Sequence, residues 1–445
     1  MVTAHYVVTS SAEAFEKLTS ALFYQGFGSV EMALRLLGEA TAIDPEFGLA
    51  WVYQAVMLGS VSRDEEAFHA AVKAYQLRDR FNERQRLQAE LYYHHFRGDL
   101  EQALQMHQKL VAEFPAEAAL HRSAAHAHSI LGYTDEAIRE ARLAIDLEPG
   151  VSSGYMILAS SQAQAGRFQE ALATLDSGRS GMPDSPLFYF EESSVRLLMD
   201  DETAALAVLR RVESDSDGEI RNIGKGRRLI CQLIFGKLDE ARASLELEAT
   251  PDSKTLYWRG LLYLLEGRNK DAVHAAEALS SRSAEPFNMT ALRSAATLAA
   301  ELGDSRLAKR VLEKSRTIDE RYPSSYASAL RRYAEGLSHQ VSGNAPAAEK
   351  ALSEARHLRP DILSSWTLAR FFENHGSSDR AFPLYKSVVE NESLAVQWDQ
   401  SIIWVRSLLH AGRCCEALGK TAEAAKFLNL YALHWDADRT RRDVL

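Results

Sequence analysis

Five histidines fall in two neighbouring stretches of the chain and are its first candidates for chemistry. They are His94, His95, His121, His126 and His128. Imidazole is the commonest protein ligand for transition metals. However, no cysteine or carboxylate stands near these histidines at a ligand spacing, and no H-E-x-x-H or paired C-x-x-C occurs. His121 and His128 fall at packing positions of the hairpin, so we expect ordinary, partly buried histidines, and a metal site is the alternative.

The segment GEIRNIGKG at 218–226 superficially resembles a phosphate-binding loop. It has five residues between Gly218 and Gly224 where the motif requires four, and Gly226 stands where Ser or Thr should follow the lysine. The sequence also lacks the motif set of protein kinases and the G-x-S-x-G elbow of hydrolases. We therefore predict no catalytic residue, no metal and no cofactor, and a protein that is not an enzyme.

A glycine followed five residues later by an alanine recurs along the chain at a nearly constant interval. The pairs are Gly28 and Ala33, Gly98 and Ala103, Gly132 and Ala137, Gly166 and Ala171, Gly236 and Ala241, Gly267 and Ala272, Gly303 and Ala308, Gly343 and Ala348, Gly376 and Ala381, and Gly419 and Ala424. In two further pairs another residue replaces the glycine: Ser62 with Ala67, and Asp200 with Ala205. The commonest interval between successive alanines is 34 residues. A fixed interval of this size is typical of a solenoid.

Each repeat has the features of two helices joined by a turn. A Gly, Ala or Ser stands seven residues before the turn in ten of the twelve repeats, where two helices must cross closely. Glycine suits the turn because helices commonly end at a residue in the left-handed region. Five repeats end with a proline, which stops a helix, at Pro45, Pro115, Pro149, Pro183 and Pro360. No run alternates as a strand does, so the sequence predicts an all-α fold.

These four features together resemble the tetratricopeptide repeat (TPR) over about residues 11–436. The resemblance implies a right-handed α-solenoid superhelix of about twelve TPR-like helical hairpins. We expect a single solenoid domain over residues 1–445, with an N-terminal extension at 1–10 and a basic C-terminal tail at 437–445.

A narrower resemblance covers the segments 7–22, 82–104 and 405–438. They look like the TPR regions attached to bacterial serine/threonine kinases and winged-helix regulators. In those proteins the repeats follow an effector domain and often a membrane span. The resemblance implies a sensing or docking region of a larger protein, which lacks its effector domain here, or a stand-alone relative.

Composition excludes some partners. The net charge is −10, and we interpret the one locally basic run, at 221–228, as a solvated helix face or turn, with a docking patch as the alternative. We therefore expect no nucleic-acid binding. No stretch of about eighteen apolar residues occurs, so we expect no membrane insertion by this chain. Cys231, Cys414 and Cys415 are too few for a disulfide framework and suit a reducing compartment. We predict a cytoplasmic location, with the periplasm as the alternative for a membrane-anchored protein.

The first helix of each hairpin lines the concave side of a superhelix, so side chains ten and six residues before the turn are groove candidates. The partner-binding candidates are Arg122, His126, Tyr257, Arg293, Tyr333, Trp366, Arg370 and Arg413. Aromatic and arginine side chains are frequent anchors at interfaces, although aromatic residues at this spacing also pack between hairpins. We predict a non-enzymatic scaffold that binds a protein or peptide segment. The alternative is a small-molecule or peptide sensor that closes around its ligand and regulates an attached kinase or transcriptional effector, with Tyr257, Tyr333 and Trp366 lining the pocket.

Overall fold

The computed structural model describes residues 9–26, 30–60, 63–183, 185–215, 218–246, 251, 253–282, 289–321, 323–391 and 400–435. Most of the predicted N-terminal extension and all of the predicted basic tail lie outside these residues. The described residues form 24 α-helices, one short 3-10 helix and no strand.

The helices follow one another along the chain with short connections. They are α1 (Ala12–Gly26), α2 (Val30–Ile43), α3 (Gly48–Ser60), α4 (Asp64–Gln76), α5 (Glu83–Arg97), α6 (Leu100–Glu113), α7 (Ala118–Ile130), α8 (Thr134–Leu147), α9 (Ser152–Gln164), α10 (Phe168–Gly181), α11 (Leu187–Leu198), α12 (Glu202–Asp215), α13 (Gly218–Ile234), α14 (Leu238–Glu246), α15 (Ser253–Leu265), α16 (Asn269–Arg282), α17 (Met289–Glu301), α18 (Ser305–Arg321), α19 (Ser325–Val341), α20 (Ala345–Leu358), α21 (Ile362–Asn374), α22 (Ser378–Val389), α23 (Ser401–Ala417) and α24 (Thr421–Trp435). Consecutive pairs form twelve hairpins, from α1 with α2 to α23 with α24. The predicted all-α solenoid is confirmed.

The turns follow the sequence prediction. Nine of the ten turn glycines have a φ between 66° and 80°, in the left-handed region that favours glycine. The tenth, Gly28, lies outside the described residues. Each of the five closing prolines stands two residues beyond the end of a second helix. Glycine therefore forms the turn before the second helix, and proline follows the end of that helix, as the sequence predicts.

The tenth hairpin shows why a small residue precedes the turn. A Cβ on Gly336 of α19 would lie 2.6 Å from Leu352 Cγ and 3.0 Å from the Leu352 backbone nitrogen of α20. The second helix begins at an Asn344 cap, whose side chain accepts a hydrogen bond from the Ala347 N–H. The two helices thus cross at a distance that only a glycine on α19 permits without a shift of α20.

Contacts divide the chain into two compact units. Among the described residues, unit 1 contains α1–α8 and ends at Glu148, and unit 2 begins at Pro149 and contains α9–α24. In each unit the core consists of alanine, leucine and aromatic side chains from both helices of every hairpin. The expectation of a single domain over residues 1–445 stays a prediction.

Candidate functional site

Six of the eight predicted groove residues lie in unit 2, and most of them are buried. Tyr257, Arg293, Tyr333 and Trp366 are 5%, 8%, 1% and 1% exposed, Arg370 is half-buried, and Arg413 is exposed. Five of them come from the first helices α15, α17, α19 and α21, whose inner face we call the unit 2 inner face. In the structure this face is packed against other parts of unit 2.

A partly buried ion pair connects α17 with the start of α21. The guanidinium of Arg293 donates two hydrogen bonds to the carboxylate of Asp361, one of them with an Nη2–Oδ1 distance of 2.7 Å. Asp361 also accepts from Arg359 Nε at 3.0 Å and from the Ser364 N–H at 2.9 Å, as the N-terminal cap of α21. Burial alone would raise the pKa of Asp361, but the Arg293 charge and these hydrogen bonds hold it well below its usual range.

Hydroxyl groups link three first helices behind this ion pair. The Oη of Tyr333 lies 2.9 Å from Thr297 Oγ1 on α17 and 2.8 Å from Thr367 Oγ1 on α21. Arg293 stacks over the Tyr333 ring at 5.0 Å. Burial raises the pKa of Tyr333, so its hydroxyl keeps its proton and can donate to one threonine while accepting from the other. Tyr333 is therefore a structural link within the inner face.

A second polar cluster surrounds Trp366. Glu373 accepts hydrogen bonds from Tyr385 Oη at 2.6 Å, from Arg370 Nη1 at 3.2 Å and from His410 Nδ1 at 3.0 Å. Burial opposes ionisation of Glu373, but these three donors lower its pKa to about 2. Burial lowers the pKa of His410 to about 4 despite the attraction of Glu373. At neutral pH the cluster thus holds an ionised carboxylate and a neutral imidazole.

The sequence reasoning missed Arg406, which is central to the inner face. Arg406 is 6% exposed, lies 4.9 Å above the Trp366 ring, and its Nη2 is 3.9 Å from Glu301 Oε2 on α17. It stands thirteen residues before the turn glycine Gly419, whereas the groove candidates were chosen ten and six residues before the turn. Asp361, the partner of Arg293, and His410, a partner of Arg370, were missed as well, because nothing in the sequence pairs residues 68 or 40 positions apart. Glu373, three residues after Arg370, stands at a spacing at which helical side chains pair.

Unit 1 presents a different surface on its first helices. Four side chains define what we call the unit 1 strip: Tyr53 of α3, Tyr92 and His95 of α5, and His126 of α7. Tyr53, Tyr92 and His95 are half-buried and His126 is exposed. Burial raises the pKa of Tyr92 to about 12 and lowers that of His95 to about 4. Desolvation also lowers the pKa of His126.

The remaining groove candidate stands beside this strip. Arg122 Nη1 is 2.7 Å from Glu148 Oε2, and the arginine side chain is 18% exposed. Because this ion pair engages its guanidinium, the strip itself offers aromatic rings and neutral imidazoles more than charge. Such a surface suits apolar and uncharged hydrogen-bonding groups.

The predicted packing of the histidines is confirmed at His121. This residue is 4% exposed, and its two ring nitrogens lie 2.6 Å from Glu140 Oε2 and 2.9 Å from the Pro115 carbonyl oxygen. Such contacts satisfy a buried imidazole. In the part of the chain that the structure describes, no group of three or more His, Cys, Asp and Glu side chains is arranged to hold a metal ion.

With this geometry the architecture can be assigned. The chain is an all-α solenoid of TPR-like hairpins. No model of a protein family matches the sequence, and no curated protein matches it. None of the described helices is long and apolar enough to span a lipid bilayer.

Comparison with solved structures finds TPR proteins of low similarity. PilW, a widely conserved type IV pilus biogenesis factor, is 13% identical with a TM-score of 0.37, over 48% of this chain and 99% of its own. A TPR protein from Parabacteroides merdae is 13% identical with a TM-score of 0.34, over 64% and 99%. A thermophilic TPR protein from Thermus thermophilus is 16% identical with a TM-score of 0.32, over 48% and 97%. The assignment of the fold therefore depends on the hairpins themselves.

Proposed function

We propose that this chain is a non-enzymatic interaction region whose unit 1 strip binds a segment of a partner protein. The observation that carries this proposal is the contrast between two first-helix faces. On the unit 2 inner face Arg293 and the aromatic side chains are buried, and Arg293 and the half-buried Arg370 pair with carboxylates of the same unit. On the unit 1 strip His126 is exposed, and the side chains next to it are only half-buried.

The chemistry of the strip indicates the kind of segment. Tyr53 and Tyr92 provide large, rigid contact areas at a small cost in side-chain entropy. His95 is neutral at pH 7 because burial lowers its pKa to about 4, so it can donate one hydrogen bond and accept another without adding charge. A helical or extended segment with apolar and amide side chains would fit this surface better than a strongly acidic or basic one.

We also propose a more specific role for this region, in bacterial signalling. It is supported by the similarity of segments 7–22, 82–104 and 405–438 to the TPR regions of bacterial kinases and winged-helix regulators. In that setting the strip would recruit a protein that an attached effector domain modifies or responds to. The cytoplasm is the compartment proposed for this activity.

The second candidate function is a small-molecule or peptide sensor, and one observation favours it. The three residues expected to line its pocket, Tyr257, Tyr333 and Trp366, are enclosed together within unit 2. Among the described residues the Oη of Tyr257 and the Nε of Arg406 are buried without a hydrogen-bond partner, which is costly for a polar group. A ligand between them could satisfy both atoms.

Site-specific photo-crosslinking tests the first proposal. A benzophenone amino acid replaces His126 in the unit 1 strip, and a matched variant carries it at Leu143 on the second helix α8, where the side chain is 46% exposed. A third variant carries it at Arg413, an exposed position of unit 2. All three positions touch solvent, so the fold should tolerate the substitution.

The variants are expressed in the native host, irradiated, and their adducts identified by mass spectrometry. We expect a discrete protein adduct from the His126 variant and none from the Leu143 variant. Equal adducts from both would indicate nonspecific contact, and an adduct from the Arg413 variant alone would move the binding surface to unit 2. Either result would contradict the assignment of the unit 1 strip.

A further inference from the structure

The last helix of the chain contacts a hairpin that lies some two hundred residues earlier. Trp435 Nε1, at the end of α24, donates a hydrogen bond of 2.8 Å to the Leu233 carbonyl oxygen near the end of α13. These residues are 202 positions apart and the hydrogen bond is buried. In a solenoid each hairpin is expected to pack only on its neighbours. This contact is therefore additional to the repeat architecture.

His434 extends the same contact to the sixth hairpin. Its ring is 3% exposed and lies 5.4 Å from the Phe235 ring and 5.1 Å from the Trp404 ring, measured between centroids. Its Nε2 is 3.3 Å from Asp200 Oδ1. One histidine of α24 thus contacts the turns after α11 and after α13.

Asp200 is unusual among the turn residues of the described chain. It is the one non-glycine residue there with a positive φ, 58°, and it stands where the other described turns of this type have glycine. Aspartate tolerates the left-handed region better than most residues but still pays a steric cost relative to glycine. Strained residues of this kind indicate a local function. Here the carboxylate of Asp200 faces His434.

The turn after α13 carries the complementary feature. A Cβ on Gly236 would lie 2.9 Å from the His434 carbonyl oxygen and 3.2 Å from Trp435 Cδ1. At Gly267, which has a similar φ of 71° compared with 66° at Gly236, a Cβ would meet nothing within 4 Å. The backbone of α24 therefore lies directly against the seventh turn, whereas the eighth turn is open.

These contacts close part of unit 2 on itself. Each helix from α13 to α24 packs on the next, and α13 also packs on α23. Hairpins seven to twelve consequently form a ring. Its inner face carries the ion pair of Arg293 with Asp361 and the approach of Arg406 to Glu301, both of which join helices that are not neighbours in the chain.

We propose that the last hairpin, α23 with α24, is a releasable clasp, which keeps this ring closed through its contacts with α13 and with the turns at Asp200 and Gly236, and whose opening exposes the unit 2 inner face to solvent and to ligands. The clasp consists of one indole hydrogen bond, one histidine, one close backbone contact and the packing of α23 on α13, whereas every hairpin has its own two-helix core. Its opening leaves all twelve hairpins intact. Such an opening belongs to the low-energy, sub-global fluctuations of a protein.

Three variants of the full chain separate clasp opening from general damage. Gly236→Ala places a methyl group against α24. Gly267→Ala is its matched control, since it imposes a similar backbone strain at a turn with no neighbour. Asp200→Gly removes the carboxylate that faces His434 and at the same time relieves the strained turn, so a purely local effect would stabilise the sixth hairpin.

Hydrogen exchange reports opening of α24, and hydroxyl-radical footprinting reports exposure of Tyr333 and Trp366. In Gly236→Ala we expect exchange in α24 to be about tenfold faster and both rings to be oxidised several times faster, because a buried contact is lost. Asp200→Gly should speed exchange in α24 while that in α11 and α12 stays equal or slows. Gly267→Ala should leave α24 unchanged.

Two results would overturn the clasp. The first is that exchange in α24 is the same in all three variants. The second is that exchange rises together throughout unit 2, which would mean that α24 does not open separately. Trp435→Phe, which keeps an aromatic ring and removes the indole N–H, provides an independent check and should also speed exchange in α24.

Discussion

The ion pair between Arg293 and Asp361 gives the sharpest test of the unit 2 inner face as a packed interior. In Asp361→Asn the Arg293 guanidinium, 8% exposed, loses its counter-charge, while asparagine still caps α21. Removing one partner of a buried pair costs about 3–5 kcal/mol. In Arg293→Met the remaining carboxylate keeps Arg359 Nε at 3.0 Å and the Ser364 N–H at 2.9 Å, so we expect a smaller loss of about 1–3 kcal/mol.

The measurement is hydrogen exchange of the backbone amides in α17 and α21. A solenoid need not unfold in one step, so the free energy of local opening at each helix is more informative than one global unfolding transition. The double variant should lose less than the sum of the two single variants, since the charges disappear together. If Asp361→Asn costs under about 1 kcal/mol, or less than Arg293→Met, the guanidinium is hydrated and the inner face is an open groove.

Three further predictions follow from burial. Trp366→Ala, which empties a fully buried site, should lower the free energy of unfolding of unit 2 in urea by about 3–5 kcal/mol. Arg413→Ala, at an exposed site, should change this free energy by less than about 0.5 kcal/mol. Equal effects of the two variants would contradict the packing of Trp366. Burial lowers the pKa of His107 to about 3 from about 6.5 in an unfolded chain. Between these two pKa values the unfolded chain binds more protons than the folded chain, so unit 1 should lose stability as the pH falls from about 6.5 towards 4. A His107→Leu variant should lose less stability over this pH range. An equal loss in the variant would exclude His107 as the cause. Burial also raises the pKa of Cys231 and Cys414 to about 12, so Ellman's reagent should react with these thiols in urea but hardly in the native protein; rapid native reaction would contradict their burial.

The repeat architecture could be predicted because its signals are local. A turn glycine, an alanine five residues later and a small residue seven residues earlier lie within one hairpin, and each meets a steric requirement of that hairpin. Gly336 illustrates this, since its space is filled by Leu352 of the same hairpin. The twelve hairpins could therefore be predicted from steric requirements between residues that are close together in the sequence.

The state of the candidate site could not be predicted in the same way. The offsets from the turn identified the first-helix face but did not indicate whether that face is open. Closure depends on the small rotation that each hairpin adds, and these rotations accumulate over several repeats. Only the structure shows that Trp435 meets Leu233 and that Arg406 approaches Glu301. Asp200 was a visible exception to the glycine rule, and it marks this closure.

The most direct test of partner binding by the unit 1 strip is a hydrogen-exchange footprint of the protein with the partner that the His126 variant captures. Exchange is compared for the full chain alone and with that purified partner. We predict slower exchange in α5 and α7, with α17 and α21 unchanged. Protection of α17 and α21 without protection of α5 and α7 would contradict the proposal and assign binding to the unit 2 inner face.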